Sequence, residues 1–260
     1  GGWMSTGTVT IKDNATIKNA QGGNGGAGIG GGVYGSTTVS IEGTPTIEST
    51  TGGNNGAGIG GGAGSLGDVD IEGKVTIQNA QGGIGAAGIG GGAESEPDDD
   101  GTGNKTGNKI SIKGTEAGSP NITAKGGKAS DDGLSGGAAI GSGSVADGAT
   151  EVKSDITIEG KATIDATAGG SIAIGDALTG EQKFAGLPVG AVITRKDSDG
   201  KDLTQEGDKP TEPEKPEKPD PEKPDPEKPD PEKPEPEKPE PEKPEPEKPE
   251  PEKPEPESRR

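Results

Sequence analysis

A glycine-rich heptapeptide that returns every 30 residues is the feature of this sequence that most restricts its fold. GAGIGGG occupies residues 26–32 and 56–62, and the near copy AAGIGGG occupies residues 86–92. Isoleucines elsewhere in the three copies keep the same interval, and two looser copies follow, the fourth with acidic insertions and the fifth slightly shortened. A long period kept in register is typical of repeat proteins in which each copy adds one structural unit.

Apolar residues within each copy are paired at a separation of two. The first copy pairs Val9 with Ile11, Ala15 with Ile17 and Ala27 with Ile29. Because side chains alternate faces along a β-strand, both members of each pair point to the same side. The segments between the pairs are rich in Gly, Asn, Asp, Ser and Thr, which favour turns. Each copy therefore predicts three short strands separated by turns.

Three short strands cannot bury an apolar face alone, so the copies are expected to stack, with like strands pairing in parallel. This predicts an all-β fold, a parallel β-helix over residues 1–180 with about five rungs of ~30 residues each. A right-handed coil is favoured because parallel crossovers are almost always right-handed. The predicted core consists of Ile11, Ile17, Ile29, Ile41, Ile47, Ile59, Ile71, Ile77, Ile89, Ile112, Ile122, Ile140, Ile158, Ile164 and Ile174.

Composition changes sharply near Lys209 and divides the rest of the chain. All 52 glycines precede this residue, and nearly all of the 23 prolines follow it. Residues 181–208 are apolar in part and are predicted to cap the last rung, with a turn at Asp199-Gly200 that would suit a hairpin. Residues 209–260 repeat PEKP and predict an extended polyproline II stalk, which at about 3.1 Å per residue reaches roughly 150 Å.

The first residues of the sequence align with the interior of a repeat. Residues 1–4 correspond to residues 31–34, just after a glycine-rich segment. The expectation from this alignment is an N-terminally truncated product, with further rungs or a cap upstream. A first rung without a cap exposes strand edges, which favours association.

The composition excludes several classes of function. The chain has no His and no Cys, so disulfides, thiolate catalysis, Ser-His-Asp chemistry and the usual zinc sites are excluded. A net charge of -19 argues against nucleic acids and anionic membranes as partners. The sequence contains no membrane-spanning run of apolar residues.

Acidic residues that recur at one outward position are the candidates for carbohydrate hydrolysis. Glu42, Glu72 and Glu159 share this position, which Lys12 and Lys113 occupy in the other two copies. Hydrolases need clustered carboxylates, but a solvated face with Lys–Glu pairing between rungs is the favoured interpretation. The three arginines lie outside the repeats, which argues against lyase chemistry. We therefore predict no catalytic residue and no cofactor.

Calcium and sugar binding have separate sets of candidates. The glycine-rich segments resemble a calcium-binding nonapeptide, but alanine replaces the aspartate that would ligate the ion. The remaining calcium candidates are two acidic clusters, for which solvated loops are the favoured interpretation. Trp3 and Tyr34 occupy adjacent slots without forming an aromatic ladder and are interpreted as surface packing. The two acidic clusters are Asp98, Asp99 and Asp100, and Asp197, Asp199 and Asp202.

The GAGIGGG repeats over residues 1–175 resemble glycine-rich repeats of surface proteins from Gram-positive, anaerobic gut-type bacteria. The PEKP segment is similar to the proline-rich stretches that cross the wall in such proteins. The resemblance implies secretion and attachment to the cell wall, although no LPxTG motif follows the PEKP segment. It assigns no functional residues.

Together these patterns predict a non-enzymatic, extracellular surface protein that displays a β-helix on a proline-rich stalk. The expected role is adhesion or structural display, with host or bacterial surface glycans or proteins as partners. A carbohydrate-binding or carbohydrate-active β-helix is the alternative.

Overall fold

The computed structural model describes residues 2–96, 98–99, 105–145, 152–176, 179–184 and 187–209, with backbone alone for residues 98–99 and 105–106. The chain divides into two units, Gly1–Lys215 and Pro216–Arg260, and every described residue belongs to the first. The predicted stalk, apart from Lys209, and the calcium candidate Asp100 therefore lie outside the described residues.

Short β-strands make up nearly all of the regular structure. The first repeats contain β1 Gly7–Ile11, β2 Thr16–Ile17, β3 Ala20–Gln21, β4 Ile29–Gly30, β5 Thr37–Gly43, β6 Thr46–Ile47, β7 Thr50–Thr51, β8 Ile59–Gly60, β9 Gly67–Gly73, β10 Thr76–Gln81 and β11 Ile89–Gly90. The later part contains β12 Asp98–Asp99, β13 Lys105–Thr106, β14 Asn108–Lys113, β15 Asn121–Lys125, β16 Ile140–Gly141, β17 Ser154–Glu159, β18 Thr163–Thr167, β19 Ile174–Asp176, β20 Gly180–Glu181 and β21 Val192–Lys196. The described residues contain no α-helix, and a 3-10 turn at Glu206–Asp208 follows β21.

Three parallel sheets collect the equivalent strands of successive repeats. The first sheet has the order β1-β5-β9-β14-β17, and the second has β2-β6-β10-β15-β18-β21, with β3 and β7 beside it. The third has the order β20-β19-β16-β11-β8-β4. Pairing is antiparallel between β19 and β20 and in the small separate sheet of β12 and β13. The predicted all-β class with parallel pairing of short strands is therefore confirmed.

Isoleucine stands opposite isoleucine in each of the three parallel sheets. The partners in register are Ile11, Ile41, Ile71, Ile112 and Ile158 in the first sheet. In the second sheet they are Ile17, Ile47, Ile77, Ile122, Ile164 and Ile193. In the third sheet they are Ile29, Ile59, Ile89, Ile140 and Ile174. One hydrophobic core contains all three columns, with Ile17 and Ile158 half-buried against it and the other members buried. Burial of each fully enclosed isoleucine contributes about 2–3 kcal/mol.

The second strand of the third, fourth and fifth repeats is longer than the apolar pairing predicts. In the third repeat β10 is continuous through Asn79, where the sequence suggests a turn, and Asn79 Nδ2 lies 3.4 Å from Ser49 Oγ. The next position faces inward, where Ala80 is buried and Thr50 is buried with its hydroxyl donating to the carbonyl of Gly58 at 2.7 Å. The apolar pattern of the sequence does not reveal this inward position, because the small residues that occupy it contribute little to the pattern.

The segment after the fifth repeat continues the second sheet. Val192–Lys196 pairs in parallel with Thr163–Thr167, so Ile193 extends the column of Ile164. The chain then reverses as the hairpin prediction suggests, because Lys196 and Asp202 form an antiparallel bridge. The repeat pattern of the sequence does not predict β21 as a further parallel strand, because β21 has no glycine-rich heptapeptide near it.

Glycine is required in the heptapeptides because neighbouring backbones approach closely there. The glycine directly after the paired isoleucine in each parallel strand of the third sheet has a φ between 128° and 143°, which glycine alone adopts readily. A Cβ at Gly60 would also overlap the carbonyl oxygen of Gly90 in the next repeat. The glycine at this position therefore sets the distance between repeats. The equivalent residues are Gly30, Gly60, Gly90, Gly141 and Gly175.

Candidate functional site

The recurrent outward acids are paired with lysines from neighbouring repeats. Lys12 Nζ lies 3.2 Å from Glu42 Oε2, and Lys113 Nζ lies 3.6 Å from Glu72 Oε1. All four side chains are well exposed. The predicted cross-rung pairing on a solvated face is confirmed at these positions.

Glu42 accepts a short hydrogen bond in addition to its ion pair with Lys12. The Ser40 hydroxyl donates to Glu42 Oε1 at 2.6 Å, and this bond and then Lys12 lower the pKa of the Glu42 carboxyl. A lowered pKa keeps the carboxylate ionised at neutral pH, which suits an ion pair. A general acid needs the opposite change, because it must remain protonated near neutral pH.

We expect the pKa of Glu42 to rise in the Ser40→Ala variant, because that variant loses the strongest hydrogen bond to the ionised form. Lys12→Met should raise it as well, because that variant loses the ion pair. Since the folded-state pKa lies below the unfolded one, the pair's stabilisation is present above the unfolded pKa. It is lost as the pH falls through the lowered value. Carboxyl NMR titration measures both changes, and a Glu42 pKa unaltered by Ser40→Ala would contradict this assignment.

In the second calcium candidate cluster, Asp197 and Asp202 accept backbone hydrogen bonds within the turn that follows β21. Asp197 Oδ1 accepts the backbone N–H groups of Asp199 and Lys201 at 2.9 and 2.8 Å. Hydrogen bonds from the hydroxyl and backbone N–H of Thr204 lower the pKa of Asp202. Asp98 and Asp99 lie in β12, and their side chains are outside the described atoms. Within the described part of the chain, no group of three acidic side chains is placed to hold a metal ion.

We call the described part of the chain, between residues 2 and 209, the body. A wide apolar cavity opens at its first-repeat end. Its volume is about 820 Å³, and we call it the N-terminal mouth. Trp3 and Tyr34 stand at its rim and are 75% and 61% exposed, so Trp3 is not packed as the sequence analysis expects. The Tyr34 ring lies against Gly64 of the next repeat, where any Cβ would overlap it. The residues of the interior that line the mouth are Val9, Ile11, Ile17, Ala27 and Ile29.

A smaller polar groove lies on the glycine-rich corner of the second and third repeats. Its volume is about 450 Å³. Asn55 Nδ2 donates to Glu94 Oε2 at 2.9 Å across it, and the exposed Ile84 supplies an apolar patch. Amides, carboxylates and a hydroxyl beside small apolar surfaces can hydrogen-bond and pack against a polar ligand. The lining residues of this polar groove are Asn54, Asn55, Ile84, Glu94, Ser130, Asp132, Gly133 and Leu134.

A buried ion-pair cluster lies at the other end of the body. Arg195 is completely buried, and its guanidinium donates to Glu181 Oε2 and to Asp208 Oδ1, each at 2.6 Å. The Phe184 ring lies over it, with the ring centroid 5.3 Å from Cζ. We call Glu181, Phe184, Arg195 and Asp208 the C-terminal clasp.

The carboxylates of the clasp connect four segments of chain. Glu181 also accepts the backbone N–H groups of Ala173 and Ile174 in the last repeat, and Asp208 Oδ2 accepts the N–H of Gln205 at 2.7 Å. The sequence contains one signal for this site. Arg195 lies two residues after the inward-facing Ile193, so strand alternation turns it inward as well.

Neither the polar groove nor the clasp is matched to a known protein. No family model, no curated protein and no solved structure matches the chain. Among the described residues, no helix is long and apolar enough to cross a membrane.

Proposed function

We propose that residues 1–209 form a right-handed parallel β-helix, which acts without catalysis as a display or adhesion module on a Gram-positive cell surface. The three isoleucine columns and the parallel register of every repeat support the β-helix. Right-handedness rests on the general preference of parallel crossovers. The extracellular location and the wall association of the proline-rich segment rest on the resemblance of the repeats and of the PEKP sequence.

The buried C-terminal clasp is the main observation that supports the display role. Asp208 is buried and bonded to Arg195, and it lies immediately before the proline-rich segment in the sequence. Any force on that segment would therefore enter the body through a buried ion pair. A body held firmly up to Asp208, directly before a segment whose sequence predicts an extended spacer, suits presentation at a distance from a surface.

The polar groove supports the alternative, in which the body binds a carbohydrate. Its amides and carboxylates can hydrogen-bond sugar hydroxyls, and Ile84 and Leu134 offer small apolar contacts. This alternative adds a ligand to the display role and requires no turnover.

A glycan array probed with the full chain, together with a reducing-sugar assay on the polysaccharides bound, tests both proposals. Display without catalysis predicts that no reducing ends appear. The carbohydrate alternative predicts binding that Asn55→Gly weakens by about tenfold, because one hydrogen-bonding amide is lost. Gly25 and Gly85 hold this position in the neighbouring repeats, so the backbone tolerates the change.

Asp13→Gly is the matched control for this experiment. Asp13 also has a positive φ, and Gly43 and Gly73 hold its position in the following repeats, but it lies outside the groove. Equal weakening by Asn55→Gly and Asp13→Gly would remove the groove as the binding site. An array without binding would end the carbohydrate alternative, and release of reducing sugar would refute the non-enzymatic role.

A further inference from the structure

An insertion into the repeat pattern supplies one wall of the polar groove. Residues 61–66 connect β8 to β9, whereas the longer segment 91–107 separates the equivalent strands β11 and β14. Glu94 lies near the start of this longer segment and accepts the hydrogen bond from Asn55 of the second repeat. The groove therefore begins where the regular spacing of the repeats ends.

A second insertion supplies the opposite wall. Residues 82–88 connect β10 to β11, whereas the longer segment 126–139 connects the equivalent strands β15 and β16. The added loop is folded on itself, because Ser130 donates its backbone N–H to the carbonyl of Leu134 at 3.0 Å and its hydroxyl accepts the N–H of Leu134 at 3.1 Å. Insertions into repeat proteins are commonly found as loops on the face that binds a ligand.

The groove has the size and the polarity of a site for a short sugar. Its volume of about 450 Å³ falls within the range of about 300–1,000 Å³ that is typical of small-ligand sites. The amides of Asn54 and Asn55 and the hydroxyl of Ser130 can both donate and accept hydrogen bonds, as sugar hydroxyls do. Ile84 and Leu134 offer apolar surface to the C–H groups of a sugar ring.

A buried hydroxyl without a partner lies beside the floor of the groove. Ser144 is 1% exposed, and its Oγ has no hydrogen-bond partner among the described residues. A Cβ at Gly85 would overlap this oxygen and would also lie close to Ala93 Cβ. Gly85 directly follows Ile84, and Ala93 directly precedes Glu94, and both of these neighbours line the groove. A ligand hydroxyl that reaches this floor would satisfy the unpaired group.

Charge determines which class of sugar the groove accepts. Glu94 and Asp132 supply two carboxylates, and no lysine or arginine is among the described residues that line it. The outward acids Glu42 and Glu72 are paired with lysines, whereas neither groove carboxylate forms an ion pair within the described part of the chain. Their charge therefore repels sugars with carboxylate or phosphate groups and attracts a sugar that carries a cation.

We propose that the polar groove binds a glycan with a free amino group, whose ammonium is held by the carboxylates of Glu94 and Asp132. The asparagine amides and the Ser130 hydroxyl bind the sugar hydroxyls, and the rings pack on Ile84 and Leu134. This site rests on the carbohydrate-binding alternative proposed above and specifies its class of sugar.

Isothermal titration calorimetry of the full chain with a glucosamine trisaccharide and with its N-acetylated counterpart tests this proposal. The two probes share their rings, linkages and length, and only the first carries charged amino groups. At about pH 6 the amines are protonated and both carboxylates are ionised. The expected result is about tenfold tighter binding of the amine form, with a smaller difference at high salt, because salt screens exposed charges.

Glu94→Gln and Asp132→Asn test the two carboxylates. Each substitution keeps an acceptor oxygen and nearly the same shape while it removes the charge. Combined, they should reduce the preference for the amine form to about twofold or less. Glu48→Gln removes the same charge at an exposed position outside the groove. It is the matched control and should keep the tenfold preference. Circular dichroism verifies that each variant keeps its β-structure.

The outcomes separate this proposal from the broader carbohydrate alternative. Equal affinity for the two trisaccharides would overturn the amine preference and leave the alternative standing. No binding of either trisaccharide would also overturn the proposal, and the glycan array separately decides whether another sugar binds. An equal loss of preference in Glu48→Gln would assign the effect to overall charge and overturn the site. A short lysine peptide that binds as tightly as the amine trisaccharide would assign the groove to a protein ligand instead.

Discussion

Gly60→Ala is expected to lower the free energy of unfolding of the body by about 4 kcal/mol or more. Gly60 has a φ of 128°, which strains any residue that carries a Cβ. The new Cβ would overlap the carbonyl oxygen of Gly90, so relief of the contact requires two repeats to separate. The isoleucine column of the third sheet lies directly beside these glycines. A separation of the two repeats at Gly60 therefore also disturbs that column. Denaturant unfolding followed by circular dichroism measures the change.

Gly23→Ala provides the matched control. Gly23 lies in the equivalent glycine-rich segment of the first repeat, has no positive φ, and has open space around its Cβ position. Its replacement should leave stability within experimental error or raise it slightly, since alanine reduces the freedom of the unfolded chain. Equal effects of the two substitutions would show that the glycines are not positioned by backbone contact between repeats.

Arg195→Met is expected to destabilise the C-terminal end of the body by about 3–5 kcal/mol. The substitution removes the cation and leaves the carboxylates of Glu181 and Asp208 without their charged partner in a buried site. Residues 197–209 should then open locally before the three parallel sheets unfold. Hydrogen exchange of the amides of Leu203 and Asp208, both hydrogen-bonded in the clasp region, measures this opening.

Two further variants distinguish the buried cluster from a general effect of charge. Lys209→Met removes an exposed pair with Glu206 and should leave amide exchange at Leu203 unchanged. Asp208→Asn and Glu181→Gln added to Arg195→Met should recover part of the lost stability, because the buried charges disappear. Rapid exchange at Leu203 in the wild-type protein would contradict a closed clasp.

The isoleucine columns could be predicted from sequence because two simple periods coincide. A separation of two places Ile71 and Val69 on one face of a strand, and the interval of 30 residues places them beside Ile41 and Val39. The fourth repeat lacks that interval, yet Ile112 still pairs with Ile71. The described part of the intervening segment includes the separate antiparallel pair β12 and β13, outside the three parallel sheets, so the strand pattern alone is enough to align the two isoleucines.

The backbone contacts and the sites at the surface required the structure. The need for glycine at Gly60 depends on its φ and on the position of Gly90, neither of which a composition rich in glycine specifies. The polar groove joins Asn55 to Glu94 and to the loop at Ser130, which come from different repeats with an insertion between them. Strand alternation in the sequence predicts that Arg195 faces inward. Its partner Asp208 could not be predicted, because it lies in a segment that has no repeat pattern.

An engineered disulfide between equivalent positions of successive repeats tests most directly whether the repeats stack. The chain has no cysteine, so Thr46→Cys/Thr76→Cys introduces a single pair at outward positions that are β-bridge partners. Neighbouring strands lie about 4.8 Å apart, within the range that a disulfide spans. Thr46→Cys/Thr163→Cys is the control, since three strand spacings separate its cysteines by about 14 Å. Stacked repeats predict an intramolecular disulfide, detected by mass spectrometry, in the first variant and not in the second. Equal cross-linking in both, or none in the first, would contradict the stacked repeats.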